Sequence, residues 1–549
     1  MPLLVKILLG LFTLSAAGAA AGTAFVLVVL NNPSEATAQY IPASAPAYFS
    51  VNLRPGLGQT LDAGNFFSKI DSAELEDWRE EQLDEGEDET GIHPTEDVNF
   101  WLGTDISAAI LNDDIDDLEW VVMFQVGERE GAEDFAEDLA DYISDESGMD
   151  LEEDSSDDLS LWIAEDDEIA IALSDEYLLI GDSEDTVMDI AENTEDPPSR
   201  SLVDNEAFAA AREAAPSPRV AFGYLDLEAL WPDGADLLDL GGTSEQLREE
   251  LEENWPVYVS MSTSFQNDGV RMDFSYFLEE EAIDWDGQPV QAQQVLPSDS
   301  LVAISTTEIL ETWVEWWEII EETDPYAADD LHQLLLDFEA EAGIDVEEDV
   351  LDTLSGELAA ALLPSDFDFS SEDGVLDSPV HALLLAGLED PETLEDTLDT
   401  LLGNVEQDYD YSREDIGEFE AVTVSPDQVD ESLGEYSPSF VVMDDWAALG
   451  STLESLEELH DALTGASDSL DDNAEFRRVM DAAPAPVHYF MYLNVFALVE
   501  AIDGALDGDD RDTFRNDVQP YIKNLSAFLI TTTVTAQEVR TSAILTVVE

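Results

Sequence analysis

Five landmarks recur in the same order in the two halves of this chain, and that repetition limits the fold more than any single motif. Ile41-Pro42 opens IPASAPAYFSVNL, and 255 residues later Leu296-Pro297 opens LPSDSLVAISTTE. Gly91-Ile92 opens GIHPTEDVNFWLG, and 252 residues later Gly343-Ile344 opens GIDVEEDVLDTLSG. Both blocks run into a stretch of small apolar residues, 106–111 and 358–363. Phe208, Pro216, Pro218 and Tyr224 return 268 residues later as Phe476, Pro484, Pro486 and Tyr492. Val270-Arg271 returns 269 residues later as Val539-Arg540. Chance supplies one such match, not five in order. The reading is two related units, 40–288 and 289–549, separated near Gly287-Gln288-Pro289 and the polar run 291–294.

Within each unit, alternating runs with β period are mixed with amphipathic helical runs. The spacing predicts strands at 47–53, 106–111, 120–126, 159–164, 169–173, 177–180, 220–225, 257–265 and 270–278. Gln266-Asn267-Asp268-Gly269 supplies a hairpin signal between the last two. Helices are predicted at 61–70, 132–144, 183–192 and 204–214, with Ser183 as an N-cap and Glu184 and Asp185 favourable beside it. The second unit closes with strands 525–535 and 538–548. Frequent hairpins and irregular strand–helix alternation point to α+β with a largely antiparallel sheet in each unit.

Charge comes next. The chain holds 130 Asp and Glu against 17 Lys and Arg, a net charge of -113. Its lysines are Lys6, Lys69 and Lys523. Such self-repulsion opposes compaction at low ionic strength and is screened by strong salt. Acidity alone is compatible with disorder, but a hydrophobic fraction of 44% and 11 Trp, 14 Tyr and 23 Phe argue for a folded chain with an acid-coated surface. Nucleic acid is excluded as a partner, since no window supplies a basic stripe. The absence of cysteine removes disulfides, thiolate metal sites and cysteine nucleophiles.

Residues 7–30 carry no charge, and Lys6 precedes them. About 20 apolar residues span a bilayer core as a helix. The expectation is a single-pass signal anchor in residues 1–30, a polar tether at 31–39, and a large C-terminal part outside the cytoplasm. The competing reading is a cleaved signal peptide with a small-residue site around Ala19 to Ala24.

Ile41-Pro42 with Tyr48, the block from Gly91-Ile92 through Asp97, Trp101 and Gly103, and its second copy from Gly343 through Asp349 and Gly356-Glu357 resemble the bacterial family called domain of unknown function 3352. The resemblance covers most of the chain after the tether. It implies a duplicated, N-terminally anchored, extracytoplasmic protein of the cell envelope, with no established activity and no catalytic residues to carry over. Gly103-Thr104 stands where the second copy has Gly356-Glu357, which argues against a shared catalytic role for Glu357.

Motifs that carry chemistry are few. His93, His332, His381, His460 and His488 form no HExxH or HxH pair. No GxSxG elbow, GxxxxGK[ST] loop or GxGxxG turn is present. Ser355 reads as a turn residue before Gly356 rather than a nucleophile. Two acid clusters are candidate calcium ligands: Asp113, Asp114, Asp116 and Asp117, and Asp507, Asp509, Asp510 and Asp512. The second lacks the glycine and distal glutamate of an EF-hand loop, and solvated acid loops explain both better. Trp313, Trp316 and Trp317 fall on one helical face and suit packing better than sugar stacking. Arg271 and Arg540, at matching positions, suit salt bridges on the closing strands.

The resulting expectation is a non-enzymatic, membrane-anchored envelope protein without a cofactor, in which two acidic modules contact an envelope protein or polymer in a high-salt setting. A cation- or small-ligand-binding protein and a hydrolase with an unrecognised site are the alternatives.

Overall fold

The computed structural model describes residues 36–548 apart from 54–56, 71–99, 115–117, 148–150, 156–158, 165–168, 231–255, 267–268, 279–287, 308–324, 365–380, 406–410, 425–436 and 507. The first half lays down β1 (Ala47–Asn52), β2 (Leu102–Ile110), β3 (Trp120–Val126), β4 (Leu151–Ser155), β5 (Ser160–Ala164), β6 (Ala170–Leu173), β7 (Tyr177–Gly181), β8 (Ala221–Asp226), β9 (Tyr258–Gln266) and β10 (Gly269–Phe277). The second half lays down β11 (Val302–Thr306), β12 (Leu354–Leu362), β13 (Ala382–Leu388), β14 (Tyr411–Ile416), β15 (Phe419–Val424), β16 (Ser439–Met443), β17 (Trp446–Gly450), β18 (Tyr489–Leu493), β19 (Leu525–Val534) and β20 (Glu538–Val547).

All pairings are antiparallel. They run β4-β5-β6-β7-β3-β2-β1-β8-β9-β10 in the first half. The second half runs β14-β15-β16-β17-β13-β12-β11-β18-β19-β20. Each strand therefore occupies the place of the strand ten positions later. The halves meet where β10 pairs β20 from Gly269↔Thr546 to Phe277↔Glu538. Asp273 faces Ser542 at the centre of that ladder, while Arg271 faces Ile544 and its counterpart Arg540 faces Ser275. A 269-residue repeat paired in this register defines a local pseudo-two-fold axis through the Asp273–Ser542 pair. Smaller features repeat too: Asn205 Nδ2 donates to the Ala43 carbonyl at 3.0 Å, and Asn473 Nδ2 to that of Ser298 at 2.7 Å.

Helices α1 (Leu57–Ile70), α2 (Arg129–Ser147), α3 (Glu184–Glu195), α4 (Glu206–Ala214), α5 (Pro325–Ala342), α6 (Pro391–Val405), α7 (Leu453–Leu463), α8 (Ala474–Met480) and α9 (Val495–Ala505) accompany the sheet. Ser183 caps α3 through the amide of Thr186, and Glu184 and Asp185 occupy its first turn. One face of the first-half sheet closes under α3 and α4, with Phe208 packed edge-on against Tyr48, Phe222 and Tyr224. Phe476 of α8 repeats this against Phe490 and Tyr492. Each of these fully buried rings contributes roughly 1.5–3 kcal/mol. On the other face α2 covers β3, β6 and β7 through Phe135, Ala136, Ala140 and Ile143. Phe66 and Phe67 of α1 pack at the ends of β9, β10 and β20 against Phe265, Val270 and Leu545.

Two corrections follow. Separate sheets in two modules were expected, but nine residue pairs between β10 and β20 fuse them into one 20-stranded sheet. An N-terminal transmembrane helix was also expected and is not supported: no helix among the described residues is long and apolar enough to cross a membrane. The longest described helix, α2, has acids throughout one face, Glu130, Glu133, Asp134, Glu137, Asp138 and Asp141 among them. Residues 7–30 lie outside the described residues.

Candidate functional site

Side chains of a strand alternate between faces. On β10 the pattern separates buried Arg271, Asp273 and Ser275 from Met272, Phe274 and Tyr276, which are 42%, 42% and 44% exposed. The register carries that second face across six strands in two rows. One row reads Trp120–Ile110–Ala47–Leu225–Val259–Tyr276. The adjacent row reads Val122–Ala108–Phe49–Gly223–Met261–Phe274. Together they line a cavity of about 350 Å³. Such a volume lies within the ~300–1,000 Å³ common for ligand pockets. Trp120 Nε1 and the Tyr276 hydroxyl, at opposite ends of one row, are the only polar side-chain atoms in either row.

The second half carries the same two rows: Ala382–Leu362–Val302–Leu493–Phe528–Leu545, and Leu384–Ala360–Ile304–Met491–Ile530–Ala543. Met491 stands where the first half has Gly223. The space over Gly223 is taken by the side chains of Met261 and Phe49, so a larger residue there would push them into the trough. A Cβ there would sit 2.6 Å from Met261 Cγ and 3.4 Å from Phe49 Cδ2. Sequence reasoning missed this trough. Alternation set Ala47, Phe49, Ile106, Ala108, Ile110, Val259 and Met261 on one face of their strands, opposite Ser50, Ser107, Ser260 and Ser262, but which strands share that face is fixed only by pairing.

The calcium candidates fall in two separate segments. Asp113 and Asp114 are exposed in the connection from β2 to β3, and Asp116, Asp117 and Asp507 lie outside the described residues. Asp509, Asp510 and Asp512 fall in the short helix Gly508–Thr513, where Asp510 and Asp512 are exposed. Among the described residues no group of three or more His, Asp or Glu is placed to hold a metal ion. His93 and the three Trp at 313, 316 and 317 lie outside the described residues. His332 is exposed on α5. His488 is buried, its Nδ1 accepts from the Val534 amide at 3.0 Å, and burial pushes its pKa down.

Glu357 is a structural acceptor. Its Oε1 takes the amides of Gln291 and Ala292 at 2.8 Å each and the Ser305 hydroxyl at 2.9 Å. Ser355, expected in a turn, is an exposed residue of β12. The register breaks between Leu354 and Leu358, and Gly356 takes a φ of +86° there. Arg271 binds Asp273 Oδ1 through Nε at 2.9 Å and Nη2 at 2.5 Å, and its Nη1 donates to the Ala482 carbonyl at 2.5 Å. The Ser542 hydroxyl reaches the same Oδ1 at 2.5 Å. Arg540 pairs with Glu538 at 2.6 Å. Each arginine thus finds its acid two residues along its own strand, on the same face.

Glu458 of α7 is the one described carboxyl raised strongly, to about 7. Burial is the main cause, followed by the charges of Asp299 and Glu454.

Fold and trough together define an antiparallel, internally repeated α+β protein with an apolar cavity on its sheet. The chain belongs to the family described as "Protein of unknown function (DUF3352)", whose model matches residues 5–546. No curated protein matches it. Among solved structures, crystal forms I and III of TP0453 are similar to it at 8% and 9% identity. They cover 46% and 45% of this chain and 80% of TP0453 in each case, with TM-scores of 0.23 and 0.25.

Proposed function

We propose that this is a non-enzymatic, extracytoplasmic binding protein whose first-half trough takes up an apolar ligand. One observation carries the reading: a cavity of about 350 Å³ over two rows of side chains that are apolar apart from one indole and one phenol. Such a site gains affinity from burying carbon and holds no acid–base pair for catalysis. The extracytoplasmic location rests on the charge-free residues 7–30 behind Lys6. The acid-coated surface suits high salt, where repulsion within a chain of net charge -113 is screened.

Binding is tested with a neutral fluorophore that brightens in apolar surroundings, titrated against the full chain in KCl. Saturable binding, lost on Gly223→Leu, supports the proposal. Binding that is absent, or indifferent to that substitution in a folded variant, refutes it. Protease added to intact spheroplasts tests location: digestion of the chain is expected, and full protection overturns it.

A further inference from the structure

Resting on that binding reading, we infer that the trough's ligand is a single linear hydrocarbon chain with an uncharged or cationic head, and that the same chain with an anionic head is rejected. The trough has the shape of such a chain. Six strands are separated by five spacings of ~4.8 Å, so the rows run ~24 Å across the sheet. The rows are two residues apart along each strand, ~6.8 Å. The result is long and narrow, one chain wide. A membrane acyl chain reaches ~15 Å, half of the ~30 Å hydrocarbon core, and fits within that length.

Charge at the mouth selects the head. Trp120 and Tyr276 bracket the row nearest one set of strand ends, and each offers a single donor beside a large ring. That row borders the connection after β2, the residue before β3 and the residues after β8. They bring the exposed Asp113, Asp114, Glu119 and Glu228 to that end. The described residues of the bordering connections, 43–46, 111–114, 118–119, 226–230, 256–257 and 278, include no Lys or Arg. A carboxylate or phosphate head would meet like charges there, whereas a hydroxyl would hydrogen-bond and an ammonium would be attracted.

Three probes of one chain length decide the matter: dodecanol below its solubility limit, and dodecanoate and dodecyltrimethylammonium below their micelle concentrations. Each displaces a neutral apolar fluorophore from the full chain, at the lowest KCl that keeps it folded and again near saturating KCl. Dodecanol and the ammonium are expected to displace it, and dodecanoate to be weaker than dodecanol by about tenfold or more, a difference of ~1.4 kcal/mol. That gap should narrow as KCl rises. The triple variant Asp113→Asn, Asp114→Asn, Glu119→Gln should narrow it at low salt while leaving dodecanol unchanged. Equal affinity for dodecanol and dodecanoate at low salt overturns the head-group assignment and leaves the binding reading intact. Failure of all three probes to displace a fluorophore that Gly223→Leu abolishes overturns the linear-chain assignment. A fluorophore that does not bind sinks the binding reading itself. Should the triple variant not fold, the salt dependence of the wild-type gap still decides.

Discussion

Replacing Arg271 by leucine tests how the two halves are held together. Arg271 and Asp273 are 8% and 3% exposed, in the middle of the sheet beside the β10–β20 junction. Removing the guanidinium deletes two bonds to Asp273 and one to the Ala482 carbonyl. Asp273 then keeps the Ser542 hydroxyl on Oδ1, while its Oδ2 is already buried without a hydrogen-bond partner. A buried charge stripped of its counter-ion costs ~3–5 kcal/mol. Replacing both residues by leucine removes the stranded charge, so Arg271→Leu/Asp273→Leu should lie within ~1–2 kcal/mol of wild type, or be more stable. Urea unfolding of the full chain at fixed high KCl measures both, since urea is uncharged and the salt keeps surface repulsion screened. The reasoning fails if the single variant costs less than ~1 kcal/mol, or if the double variant is as unstable as the single.

Glu357→Ala should cost at least about 1–3 kcal/mol, because it strands donors of Gln291, Ala292 and Ser305, whereas Glu357→Gln keeps an acceptor and should cost less; urea midpoints compare them. Glu458, with its folded pKa raised to about 7, holds a proton in the folded state that the unfolded state releases near 4.5. Stability should therefore fall as pH rises from about 4.5 to about 7, and Glu458→Gln should flatten that fall, a gain visible at pH 8 and absent near pH 4 in thermal unfolding. Thermal unfolding of the full chain should move upward with added KCl and ignore a calcium chelator; a midpoint flat in KCl that drops on chelation would contradict the charge-screening account.

Strand positions were readable wherever burial imposed alternation. The run 120–126 was placed at its observed bounds, and 177–180 and 270–278 within a residue. β4 was missed because its sequence, LEEDS, is that of a charged edge strand rather than an apolar alternation. The hairpin of β9 and β10 followed from its turn signal, and its closing pair is Gln266↔Gly269. Joining of the two halves was not legible, since an isologous contact between β10 and β20 leaves no turn signal and no linker. For Arg271 and Arg540 the sequence showed two matching cations but not their partners, because i,i+2 neighbours compete with every cross-strand acid until the register is known. Nor could the trough be read: it depends on Gly223 lying beside Met261 and Phe49, residues brought together only by pairing.

The order of strands also decides where this sheet stops growing. β10 and β20 consume each other's hydrogen-bonding edge, which among the described strands leaves β4 and β14 at the two ends. Both ends are defended. β4 exposes Glu152 and Glu153, and β14 exposes Glu414, Asp415 and Arg413, the last tied to Asp399 and Glu420. A further strand docking on either border would have to approach a row of carboxylates, and a second copy of this chain would bring its own. Carboxylates on both borders thus oppose edge-to-edge growth of the sheet into a fibre.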